Sequence, residues 1–115
     1  MAIPTTQIAD AILLKASELR LAAGILRTDG RSADANDADQ EALNCENKAH
    51  ALKAGTAAFT HFPTTDQLNQ LQKDCADLQV AIDTSTAANN TAASLNKVAS
   101  AASKTRQSVP ASSIT

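Results

Sequence analysis

Rings are nearly missing from this chain. Phe59 and Phe62 are the only aromatic residues among 115, and tryptophan and tyrosine are absent. Large rings supply much of the buried area of ordinary cores and much of the energy of binding hot spots. A core here has to be thin, built of Leu and Ile packed on Ala. Glycine and proline are scarce as well, with three of each. A β-rich fold of this length needs more turn chemistry and more Val, Tyr and Phe. Long apolar runs are lacking too. The richest stretch, Ile8 to Leu26, is interrupted by Asp10, Lys15, Glu18 and Arg20, and nothing reaches the roughly 18–20 residues of a membrane span.

Further absences narrow the function classes. The first residues do not carry the basic region followed by an apolar block that marks a secretory signal. The expected compartment is therefore cytoplasmic, although secretion by a signal-less route would leave no trace. Ten basic and twelve acidic residues leave a net charge of −2. With no aromatic stacking platform, that balance argues against nucleic acid as a partner. No Gly-x-Ser-x-Gly, Gly-rich phosphate loop or recognisable carboxylate scaffold occurs, so no enzyme, cofactor or small-molecule substrate is expected.

What is present is alanine, the strongest helix former, and an all-α fold is expected. The first helix should start after Pro4, with Thr5 or Thr6 as its cap, and run to about Thr28, where Asp29-Gly30 supplies a stop. Ser32 or Asp34 can cap a second helix that reaches somewhere between Ala54 and Thr60. Phe62-Pro63 breaks the chain, and Thr64 followed by Gln67 has the spacing of a capping box opening a third helix. The polar stretch from Asp83 to Thr91 either interrupts that helix or belongs to one long one, so residues 83–106 either continue it or form a fourth. Residues 1–106 are read as one helical domain and 107–115, with Pro110 and several serines, as a flexible tail.

Two heptad series suggest a tertiary pairing. Ala35, Ala38, Ala42, Cys45, Ala49 and Leu52 alternate steps of three and four, as do Leu68, Leu71, Cys75, Leu78, Ile82 and Ser85. Read in opposite directions about a turn centred on Thr60, the two series match position for position, Ala42 with Leu78 and Ala49 with Leu71. The expected architecture is thus an antiparallel, coiled-coil-like helical hairpin of the second and third helices. One or two further helices would complete a small three- or four-helix bundle.

The first helix is apolar on two sides. Ile8, Ile12, Ala16, Leu19, Ala23 and Leu26 share one, while Leu14, Leu21 and Ile25 lie about 140–220° away from it. Three exposed aliphatic side chains together invite association, so Leu14, Leu21 and Ile25 are the candidate partner-binding residues. The alternative cover is the segment from Ala92 to Ala102, which offers little beyond Leu95 and Val98.

The remaining candidates favour bland roles. Cys45 and Cys75 suit small buried hydrophobes at seam positions better than redox or metal residues. Cys45, His50, His61 and Cys75 are zinc-ligand types without zinc-ligand spacing, so no metal is expected. Asp29, Asp34, Asp37, Asp39, Glu41 and Glu46 form either a solvated helix face or a docking surface for a basic partner. Lys97, Lys104 and Arg106 can complement it, within the chain or between copies. The function these features favour is non-enzymatic: a structural subunit or adaptor that self-associates or docks on a larger complex. A small inhibitor or immunity-type protein is the alternative, and a ligand- or metal-binding bundle a further one.

Overall fold

The computed structural model describes residues 3–115. It contains four α-helices and a short 3-10 turn. These are α1 (Thr5–Thr28), α2 (Ser32–Ala54), α3 (Thr65–Ala87), α4 (Ala92–Gln107) and the 3-10 turn Ala111–Ser113. Among the described residues the only β contact is an isolated antiparallel bridge between Phe59 and Ile114.

Local chemistry accounts for most boundaries; the exception is the start of α2, where Arg31 is the N-cap without a side-chain bond and the cap expected at Ser32 or Asp34 does not form. Pro4 itself caps α1, and its carbonyl accepts from the amides of Gln7 and Ile8. At the other end Gly30 adopts a left-handed φ of 81° and the amide of Arg31 bonds back to Leu26. Gly55, with φ 77°, ends α2 in the same way, the amide of Thr56 returning to Ala51. A β-carbon is poorly tolerated at such angles, which is why glycine stands at both stops. The expected capping box is formed: Thr64 Oγ1 accepts from the Gln67 amide, and Gln67 Oε1 accepts from the Thr64 amide. The polar stretch after Asp83 proves to be a break. Asn89 and Asn90 both take positive φ, and Thr91 caps a separate α4 through the Ser94 amide. Asparagine tolerates that conformation better than most residues.

The heptad series mark the buried faces but not the pairing. Ala35, Ala38, Ala42, Cys45 and Ala49 of α2 are fully buried, and Leu68, Leu71, Cys75, Leu78, Ile82 and Ser85 of α3 are buried too. Yet no Cα atom of α2 comes within 8 Å of one in α3. The α2–α3 hairpin expected from the sequence does not form. The alanine seam of α2 instead packs on α1, the most extensive helix contact of the molecule, and α3 pairs with α4. Helix α1 lies between, touching all three others. Its own side chains explain this. Its buried arc takes in Ile8, Ala9, Ile12, Lys15, Ala16, Leu19, Ala22, Ala23 and Leu26, too wide a surface to cover with one partner.

Residues 107–115, read from the sequence as a flexible tail, are packed. Val109, Ala111 and Ile114 are buried. Ala58 and Thr115 exchange both backbone hydrogen bonds, and the Thr60 amide donates to the Ser113 carbonyl. Three apolar side chains and a row of backbone groups thus find partners that a composition rich in serine does not advertise. The connection contains one strained residue, Val109, whose φ is 44°. Such a backbone on a β-branched residue costs about 1–3 kcal/mol and persists only where its surroundings impose it.

Candidate functional site

Lys15 is the least expected feature of the interior. Its side chain is 0% exposed, although lysine is almost never fully buried unless paired. It sits within the apolar arc of α1, and its ammonium reaches Glu41 of α2 at 2.7 Å. It also donates to the carbonyls of Arg106 at 3.1 Å, Ser108 at 3.0 Å and Val109 at 3.3 Å. A cation placed there satisfies carbonyls that the end of α4 leaves without helical partners. Glu41 Oε2 accepts in addition from the Ala111 amide at 3.0 Å and from the Cys45 thiol at 3.5 Å. One buried charge pair therefore ties α1, α2 and the segment after α4 together. Sequence reasoning passed over Lys15 as a mere interruption of an apolar stretch. The available signal was its position on the same side of the helix as Ile8, Ile12, Leu19 and Leu26.

Asp39, Glu41 and Glu46 of α2 pair with cations of α1, and one further pair runs the other way, from Lys53 of α2 to Asp10 of α1. Arg20 pairs with Glu46, Arg27 with Asp39 at 2.6 Å, and Lys53 with Asp10 at 2.5 Å. Within the chain the cations facing the acidic stretch are thus Lys15, Arg20 and Arg27 rather than Lys97, Lys104 and Arg106. Each exposed pair is worth about 0–1 kcal/mol, so their joint effect is to fix the α1–α2 register rather than to supply much stability.

The two cysteines are free and buried. Burial, the larger cause, pushes the Cys45 thiol up to about 12; neighbouring Lys15 acts against this and Glu41 with it. Burial also lifts Cys75, to about 11, with Glu18 adding to the effect. Thiols so disposed toward the neutral form are poor nucleophiles. Cys45 and Cys75 lie on the two helices whose Cα atoms stay more than 8 Å apart, beyond the reach of a disulfide. His50 and His61 are exposed, and among the described residues no three His, Cys, Asp or Glu side chains gather as a metal would need. Glu18 is raised by burial and then by the carboxylate of Asp83, and its Oε2 is buried without a partner.

The candidate partner residues divide. Leu14 is 54% exposed and Leu21 is 51% exposed, one heptad apart on α1. Ile25 is half-buried against the core. Helix α4 does pack on α1 but leaves the two leucines uncovered. A groove of about 350 Å³ runs between α3 and α4. Val80, Ala81, Thr84 and Ala101 line it, with Lys97 and Lys104 on one wall and Asp77 on the other. No described helix is long and apolar enough to cross a membrane. Comparison with protein-family models, with curated proteins and with solved structures finds no match for this chain.

Proposed function

We propose that the protein is a non-enzymatic interaction or assembly subunit acting in the cytoplasm, and that it docks through the outer face of α1. The observation that carries this reading is the half-exposure of Leu14 and Leu21, at 54% and 51%, on a helix whose opposite, apolar face is already buried. Burying a leucine fully is worth roughly 1.5–3 kcal/mol, so covering this pair favours association. Ile25, half-buried, forms the edge of the patch. The neutral, buried thiols support a non-catalytic role. The inhibitor reading draws less support, because Asp39, Glu41 and Glu46 of the acidic stretch already pair within the chain.

The test is sedimentation of the purified chain beside a Leu14→Gln, Leu21→Gln variant. Both positions are exposed, so the variant is expected to fold with unchanged helicity and to sediment as a smaller species. A folded variant of unchanged mass that also keeps its partners in affinity capture would reject this surface.

A further inference from the structure

The turn after α4 is built from residues that resist it. Val109 holds φ 44°, a backbone its branched side chain disfavours. Residue 109 also precedes Pro110, whose ring clashes with compact backbone and pushes the preceding residue toward the extended region. The local sequence prefers this hinge straight, and the fold holds it bent. The restraint comes from Lys15, which grips the Val109 carbonyl itself, and from the docking of the last six residues. This strap, Pro110–Thr115, is received by a cleft made of α2 and the Ala58–Thr60 segment. The Ala111 amide goes to Glu41, Ser113 accepts from Thr60 and Thr115 pairs with Ala58, and Ala111 and Ile114 are buried.

None of those cleft contacts requires the strap to come from the same chain. We propose that the strap is exchangeable: straightened at Val109, it docks in the equivalent cleft of a second copy, giving a reciprocal strap-swapped dimer. The hydrogen bonds and buried side chains beyond the hinge are the same in both forms. The difference lies at the hinge: straightening relieves the strain at Val109 and gives up the Lys15 bond to the Val109 carbonyl, and association costs entropy. Exchange of an identical element is a low-cost route to dimers when the hinge is under strain. The proposal is independent of the α1 face, and its test is arranged so that either can fail alone.

Ala58 and Thr115 are exposed, and residues that exchange both hydrogen bonds lie about 5.5 Å apart at Cα, within disulfide range. Full-length Ala58→Cys and Thr115→Cys variants, both in the Leu14→Gln, Leu21→Gln background, would be mixed, concentrated and gently oxidised. The expected product is a mixed disulfide dimer in clear excess over the dimer from Ala58→Cys alone. Adding Pro110→Ala to both chains removes the ring that favours the straight hinge while leaving Val109 in place. It should lower the mixed dimer by about tenfold. A double Ala58→Cys, Thr115→Cys chain checks that the two sulfurs meet when the strap is closed on its own cleft. A mixed dimer no more abundant than the self-dimer, or one indifferent to Pro110→Ala, overturns the proposal. If the added cysteines disturb folding, sedimentation of the Leu14→Gln, Leu21→Gln chain without them decides: concentration should produce a dimer that reverts slowly on dilution and is lowered by Pro110→Ala, and a monomer throughout refutes exchange.

Discussion

The α1–α2 and α3–α4 hairpins are close in composition and unlike in construction. In the first, Ala35, Ala38, Ala42 and Ala49 are fully buried and three exposed ion pairs stitch the helices together. In the second, Ala81 and Ala101 border an open groove, and the junction is held by hydroxyls. Ser85 Oγ donates to Asn90 Oδ1 at 2.8 Å and lies 3.1 Å from Ser94 Oγ. Alanine therefore has two roles here. Opposite the apolar arc of α1 it permits close approach, within the usual 8–10 Å range of helix axes. Between α3 and α4 it leaves space unfilled. The same residue tightens or loosens a pair according to the size of what stands across from it.

The sharpest way to break the first hairpin is through its one buried charge. Lys15→Met keeps the bulk but strands Glu41 and the carbonyls of Arg106, Ser108 and Val109. Removing one partner of a buried pair costs about 3–5 kcal/mol, and urea titration is expected to show a loss of that order. Next in size is a test of the comparison itself. Ala42→Leu should overpack the α1–α2 seam and cost about 1–3 kcal/mol. Ala101→Leu, facing the α3–α4 groove, should cost no more than about 0.5 kcal/mol. Equal losses at the two sites, measured by thermal melting, would show that the hairpins are packed alike.

The last effect is confined to alkaline pH and is nil at neutral pH. Each buried thiol binds its proton more tightly when folded, so above the ordinary thiol value of 9.0 the unfolded chain releases protons that the folded chain keeps. Stability should be unaffected by these groups below that pH. It should then fall from pH 9 up to about 12 for Cys45 and about 11 for Cys75. For Cys45 the slope is at most about 1.4 kcal/mol per pH unit. Cys45→Ala should flatten the decline more than Cys75→Ala, as followed by dichroism against pH.

The sequence disclosed which side of each helix is buried better than it disclosed what each side meets. The series from Ala35 to Leu52 is the buried face of α2 residue for residue, and the series from Leu68 to Ser85 is that of α3 save for Asp74, which is buried as well. Their numerical match as facing partners reflected two amphipathic periods and a complementarity of size. Periodicity is a property of one helix, whereas pairing depends on all the surfaces competing for it. A second signal lay in the connections. Only residues 29–31 separate α1 from α2, which forces them to be antiparallel neighbours, while residues 55–64 leave α3 free to cross to another side. The strap was illegible for a related reason. Serine and proline read as solvated chain, and the lysine that fixes it is more than ninety positions away. The α1 leucines were legible as an unbalanced face because nothing in the chain was large enough to cover them.

The scarcity of rings gives the molecule an unusual optical character. Phe59 and Phe62 stand edge to face with centroids 5.5 Å apart, and Phe59 is bridged to Ile114 of the strap. With no tryptophan or tyrosine to obscure them, these two rings are the entire source of aromatic near-ultraviolet dichroism. Their spectrum is therefore a local signal from the seat of the strap, while amide dichroism reports the helices, and the undocking of one can be timed against the melting of the other without attaching a dye.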